Sequence, residues 1–476
     1  MQRLLLPSGH RRLARRSYAG LLLLLFLASL GADPARAATF TVNSLLDTTD
    51  GACGPAPGGC TLREAIEASV AAQGRDTIAF DPAVFPSAGF TGSIAVNTLP
   101  LIADPAGTII DGKGATVTIN CGAFARCLAF ESPAGVALEK VTVANLTVVN
   151  VTGTAIDVCG GGAPACDDDV RGVLIENVAV GGAQSGISVR GGVVSKARIV
   201  GSVVSNSTSG IFIGGSRELR GARVEGTSTL GSGIYVFGNE RLVDATVADC
   251  LSTGDSRGIF LQSTLAVSTA KVTDVVTFET ADSGVRIVAD GTTTGATITN
   301  AVASAFGENG VQVYGEAGNR AVTVRGVRAD RGGDGVNLFG PTDGATFRDL
   351  ILVGNVNGLD FSEPGTSVTH TKISDVLSVD NERGAFVIGG SNKLKNVFAA
   401  ANDSGIVLSG AGGDVVEKSR AMANGGPGIA LESNGNVIRK NVALGNIVDL
   451  SDDSPTCGTN IWQKNVFRTG SAPCIR

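Results

Sequence analysis

Seven side chains in series carry most of the chemistry that this sequence offers: Phe212, Tyr235, Phe260, Arg286, Gln312, Asn337 and Asp360. Each follows a glycine and one apolar residue and precedes another apolar residue, as in SGIFIGGS from Ser209, SGIYVFGN from Ser232 and RGIFLQST from Arg257. In an extended strand the two apolar residues face one way and the residue between them faces the other. Three aromatic rings followed by four hydrogen-bonding groups suit a saccharide chain, whose C–H faces stack on rings while its hydroxyls need donors and acceptors. The same residues also fit a structural reading, because aromatic side chains favour strands and stack on their cross-strand neighbours.

The elements that must position these residues are written in the repeat. Glycine marks it at Gly186, Gly210, Gly233, Gly258 and onward to Gly428, at intervals of 21 to 26 residues. That period describes a solenoid with one coil per repeat. A second short strand follows in each coil, among them ARVEG at Ala222, ATVAD at Ala245 and ATITN at Ala296. Alternating β-branched segments with almost no helical period make the solenoid all-β. The last letter of that second strand is Gly, Asp or Asn from Gly201 to Asn396, the residues that tolerate a left-handed backbone, so a recurrent turn is expected there. The next letter includes Ser202, Thr227, Cys250, Val275 and Ala301, which reads as an inward slot and makes Cys250 a buried free thiol. Coils stack about 4.8 Å apart, which turns the seven side chains into a stripe about 30 Å long.

Coils of this length with GIxV strands resemble the right-handed parallel β-helix of the pectate-lyase type over residues 106–450, in roughly fourteen coils. The segment TFTVNSLLDTTDGACGPAPGGCTLREAIEAS from Thr39 is similar to the CSLREA domain of exported bacterial β-helix proteins, here Cys60-Thr61-Leu62-Arg63-Glu64-Ala65 with Thr where Ser is usual. Thr61 and Glu64 form a capping box, and Leu62, Ala65, Ile66 and Val70 one apolar face of a short helix. Such a helix caps the first coil, which would otherwise expose strand edges and core.

The remaining organisation follows from charge and cysteine. Residues 1–37 carry Arg11, Arg12, Arg15 and Arg16, the run AGLLLLLFLASL and then Ala35-Arg36-Ala37, a secretory signal whose apolar run is too short to span a bilayer. Removing it leaves 32 basic and 43 acidic residues, a net charge of −11, so a nucleic-acid partner is not expected. Eight cysteines fall into close pairs, Cys53 with Cys60, Cys121 with Cys127, Cys159 with Cys166 and Cys457 with Cys474, and read as four local disulfides of an oxidising compartment. Zinc fits less well, since the spacings are wide and His370 is the one histidine beyond the signal. The expected layout is a signal at 1–37, an N-terminal cap at 38–105, β-helix repeats at 106–450 and a disulfide-closed cap at 451–476. The expected protein is an exported monomer, extracellular, at the cell surface or periplasmic, without a transmembrane segment after signal removal.

Catalytic signals are thin. GDSRG at Gly254 matches G-x-S-x-G, but Ser256 precedes a β-helix strand and lacks the strand-turn-helix context; His370 begins about four coils away, near 19 Å. The paired aspartates and Gly-His-Gly of polygalacturonases are not matched, as no Gly-His-Gly occurs. Arg286 and Asp360 sit three coils apart, about 14 Å. Asp167, Asp168 and Asp169 offer calcium ligands or a solvated acidic loop, and no other cofactor is expected. Arg325 and Arg348 align one coil apart, to meet an acidic sugar or to pair with Asp349 and Asp375. The expected function is therefore binding of polysaccharide or cell-surface glycan along the stripe. A polysaccharide lyase or glycoside hydrolase on the same groove, and a structural surface protein or adhesin, are the alternatives, and catalysis is the less expected.

Overall fold

The computed structural model describes residues 37–476 apart from 51, 57, 73, 87–91, 98, 123, 255, 256, 364 and 476. The expected signal segment, Ala37 apart, and Ser256 of the GDSRG stretch lie outside the described residues.

Each coil is built from four short strand segments. In one of them these are Ile234–Gly238, Arg241–Val243, Thr246–Ala248 and Leu251–Thr253. Every segment pairs in parallel with its counterpart one coil on, as Ile234↔Ile259 and Thr246↔Lys271 do. The first and second segments merge into a 22-stranded sheet and the third and fourth into a 25-stranded sheet, about fifteen turns of a right-handed parallel solenoid. Alternation puts Ile211 and Ile213, Ile234 and Val236, and Ile259 and Leu261 inside, each at most 1 % exposed. Such burial contributes roughly 1.5–3 kcal/mol per side chain. One continuous apolar column results.

The marker glycine is explained by close approach. A Cβ on Gly258 would lie 2.2 Å from the carbonyl oxygen of Gly284, and one on Gly405 would lie 2.3 Å from that of Gly428. Each coil crosses the next at this glycine, and there is no room for a side chain.

Three corners per coil adopt the left-handed backbone. The column from Gly201 to Asn396 does so at every one of its nine positions, with φ between 52° and 64°. Two further corners do the same and were not legible, because Asp244, Thr269 and His370 fill one and Asp380, Ala401 and Ala423 the other. Threonine, histidine and alanine have no liking for that region, and the stacked coils above and below impose it.

The residue after each left-handed corner points into the core. In the N-terminal coils it is small or apolar, as with Ala222, Ala245 and Cys250, and the Cys250 thiol is buried with its pKa pushed up to about 11 by that burial. In the C-terminal coils it becomes asparagine. Asn355, Asn381, Asn402, Asn424 and Asn446 form a ladder in which each backbone N–H donates to the next Oδ1 at 2.8–3.0 Å. Their Nδ2 groups donate to main-chain carbonyls of the preceding coil, at Ala329, Leu352, Ser378, Ala399 and Ala421. A second ladder runs Asn392, Asp414, Asn436, Asn460.

At the N-terminus β1 (Thr39–Val42) pairs in parallel with β2 (Thr77–Phe80), and the helix α1 (Leu62–Ala71) between them packs on both. Glu64 N–H donates to Thr61 Oγ1 while Thr61 N–H donates to Glu64 Oε2 at 2.8 Å, the capping box expected from the sequence. Leu62, Ala65 and Ile66 are fully buried. All four disulfides form, with Cα separations of 4.2, 5.8, 5.0 and 6.0 Å. The last of them, Cys457–Cys474, closes the C-terminal cap beside Trp462, whose Nε1 donates to Asp452 Oδ2 at 3.0 Å.

Candidate functional site

The seven stripe residues stand in register on the outer side of the first segment. Direct pairing links Phe212 to Tyr235, Tyr235 to Phe260, Phe260 to Arg286, and so on through Gln312 and Asn337 to Asp360. The second outward position of the same segment, which the sequence reading passed over, adds Phe237, Gln262, Tyr314 and Phe339. Reading the strand two residues further would have found them, since alternation places both positions on one face.

The stripe divides into an aromatic and a polar half. Phe212 and Tyr235 are half-exposed, with ring centroids 5.5 Å apart, and Tyr235 stacks on Phe237 at 5.9 Å and 10°. The Tyr235 hydroxyl donates to Gln262 Oε1 at 2.8 Å, which holds the ring in place. The Phe212 ring lies over Gly214, where a Cβ would come within 2.4 Å of it. Beside these rings a groove of about 340 Å³ is lined by Thr208, Phe212, Tyr235, Arg257 and Phe260. Phe260 departs from the expectation of a stacking face. It is 3 % exposed and clasped between the guanidiniums of Arg257 and Arg286, each 5.4 Å from its centroid.

In the polar half the side chains turn towards one another and not outward. Gln312 Nε2 donates to Asn337 Oδ1 at 3.2 Å, and Asn337 Nδ2 to Asp334 Oδ2 at 2.8 Å. Asn357 Nδ2 donates to Asp334 Oδ1 at 2.7 Å and to Asp360 Oδ2 at 3.1 Å. This mutual bonding leaves Asn337 and Asp360 buried. Asp334, Asp360 and Glu363 bring carboxylate oxygens within 4.8 Å of one another. Burial, against the pull of the Asn357 amide and with the Asp360 charge adding to it, pushes Asp334 up to about 6. One coil back, burial and the Asp282 carboxylate push Glu308 up, and Arg286 lies 3.7 Å from Asp282. Asp334, Glu363, Glu308 and Asp282 went unnoticed in the sequence because they lie before or after the strand, at loop positions with no fixed letter.

The other candidate positions are tied into ordinary ion pairs and turns. Asp168 accepts from Gly135 N–H, and Asp169 pairs with Arg171 at 3.0 Å and Arg217 at 3.1 Å, so the acidic run from Asp167 does not converge on one point. Arg325 meets Asp349 at 3.1 Å, and Arg348 meets Asp349 and Asp375 at 3.3 and 3.7 Å. His370 is exposed and bonds Asp343 at 2.7 Å.

Two family models match parts of the chain. One, described as the right handed beta helix region, covers residues 134–300. The chain is a right-handed parallel β-helix. The other model, described as periplasmic copper-binding protein (NosD), matches residues 279–471 of this β-helix. Soft donors for copper do not converge in it. Cys250 is buried, seven coils and about 34 Å from Met422, while His370 sits exposed at a different corner. Comparison with curated proteins finds no match. Among solved structures, the β-helix is similar to the periplasmic alginate epimerase AlgG, at 9 % identity over 83 % of this chain and 84 % of that one, with a TM-score of 0.26. It is also similar to the A-module of Azotobacter vinelandii mannuronan C-5 epimerase AlgE4, at 13 % identity over 75 % and 88 % with a TM-score of 0.28. A GH87 α-1,3-glucanase catalytic unit from Streptomyces thermodiastaticus strain HF3-3 matches at 13 % identity over 93 % and 71 %, with a TM-score of 0.24.

Proposed function

We propose that the protein is an exported β-helix that binds a glycan along the outer side of its first segment. The half-exposed platform of Phe212, Tyr235 and Phe237 carries this reading, since three rings side by side above an open groove offer the flat apolar face that a sugar ring stacks on. Polar groups within reach on the same strands supply hydrogen bonds. Export is supported by the basic and apolar start of the sequence and by four disulfides. No helix among the described residues is long and apolar enough to cross a membrane. The capped helix α1 and its Cys60–Ala65 motif support a CSLREA-type N-terminal cap. The buried, arginine-clasped Phe260 favours the structural-ladder reading for that one position.

Affinity electrophoresis in gels containing soluble polysaccharides tests the reading. Tyr235→Ala weakens retention about tenfold, the worth of one aromatic stack, while the thermal unfolding profile stays as in the parent. Unchanged retention of the variant removes the platform from the glycan site.

A further inference from the structure

The cavity over the polar half has a volume of about 450 Å³, and its lining includes Arg286, Glu308, Gln312, Tyr314, Asp334 and Glu363. Independent features meet there. Asp334, Asp360 and Glu363 converge to within 4.8 Å. Among the described residues Gln312 Oε1 and Arg286 Nε have no hydrogen-bond partner, although Gln312 is only 9 % exposed. Unpaired polar atoms in a native interior are uncommon and costly, and a ligand hydroxyl entering the cavity supplies the missing partner. Tyr314 and Phe339 stack at 4.5 Å and 11° along one side, a wall of the size of a sugar ring.

Resting on the glycan reading above, we propose that this cavity is a hydrolytic centre for a neutral polysaccharide, with Asp334 as proton donor and Glu363 as nucleophile. Charge selects the substrate class. Asp282, Glu308, Asp334, Asp360 and Glu363 border the site against the guanidiniums of Arg257 and Arg286, a surplus of acid that repels a polyuronate. Position selects the roles. Asp360 is engaged on both oxygens, by Ser362 N–H at 2.9 Å and by Asn357 Nδ2, and its charge favours the protonated form of Asp334. Glu363 lines the cavity beside them.

The close approach of the two carboxyl groups fits displacement with retention, in which they stand about 5 Å apart. Glu363 bonds to the anomeric carbon as the glycosidic C–O bond breaks, and the leaving oxygen takes the proton of Asp334. Water then attacks the same carbon, giving one proton back to Asp334 while the Glu363 ester bond breaks. The products together carry one added water. Asp334, held up to about 6, keeps its proton in mildly acidic medium and loses it as pH rises further.

The purified protein is incubated with barley β-glucan, xylan, galactomannan and dextran, and with alginate and polygalacturonate, recording retention, reducing ends and unsaturated ends. Reducing ends from a retained neutral polysaccharide, with retained anomeric configuration by NMR and a rate that falls above pH about 6, support the proposal. Asp334→Asn and Glu363→Gln then each lower the rate about 10² to 10⁴-fold with retention unchanged. Glu363 stands outside the asparagine–aspartate hydrogen-bond chain, so its variant reports on chemistry even if Asp334→Asn disturbs folding. Retention without any release overturns the hydrolytic centre and leaves the binding reading standing. Absence of retention overturns both. Unsaturated ends from a polyuronate, or equal rates in the variants, overturn the assignment.

Discussion

Asn402→Ala is expected to destabilise the protein by about 4 kcal/mol, the largest loss from truncating any one polar side chain of the core. Asn402 Oδ1 accepts the backbone N–H of Asn381 at 2.9 Å and its Nδ2 at 3.1 Å, while its own Nδ2 donates to the Ser378 carbonyl at 3.1 Å. Alanine strands the Asn381 N–H and the Ser378 oxygen in an interior where Asn402 is 2 % exposed. Each such orphan costs about 1–3 kcal/mol, and the cavity left behind adds to it. A solenoid unfolds by neighbouring coils as well as all at once, so the loss shows both in the denaturant midpoint and in faster amide exchange of the coils on either side of residue 402. A midpoint within about 1 kcal/mol of the parent would mean that water enters the corner and replaces the side chain.

Asp414→Asn is expected to act in the opposite direction, stabilising the fold at neutral pH by about 2 kcal/mol. Asp414 occupies an asparagine slot of the second ladder. Its Oδ1 accepts Asn392 N–H at 2.8 Å, but Oδ2 is buried without a partner among the described residues. An asparagine there presents Nδ2, the donor by which Asn392 reaches the Val368 carbonyl at 2.8 Å. Burial holds the Asp414 carboxyl above its ordinary 3.8. A raised carboxyl binds its proton more tightly in the folded chain than in the unfolded one, so stability falls as pH rises from the unfolded value through the folded one. The gain from asparagine is accordingly absent near pH 3 and complete above the folded pKa. Unfolding midpoints of parent and variant at pH 3, 5 and 7 test this, and a difference that does not grow with pH removes the titration from the account.

Asparagine every 21 to 26 residues from Asn355 to Asn446 is plain in the sequence once looked for. The inward column was followed only through Val397, and the switch to Ser419, Asn441 and Asn465 lies beyond that point. The left-handed corners at Lys196, Ala321 and Lys440 are a different case. Their residue types carry no turn preference, and only the coils stacked on them force the backbone to bend there.

What the sequence determined by itself is therefore everything that recurs with the coil. Period, inward and outward faces, the register from Phe212 to Asp360, the capping box at Thr61 and Glu64, and the four disulfide pairs follow from chemistry local to one strand, one turn or one close cysteine pair. Tertiary structure alone decided what happens between coils. It buried Phe260 between Arg257 and Arg286, folded the polar half of the stripe onto itself, and gathered Asp334, Asp360 and Glu363 from two successive coils. Strand spacing fixes where side chains start, about 4.8 Å apart. Where their ends meet depends on rotamers and on loops whose letters do not repeat, and the candidate centre is made of such ends.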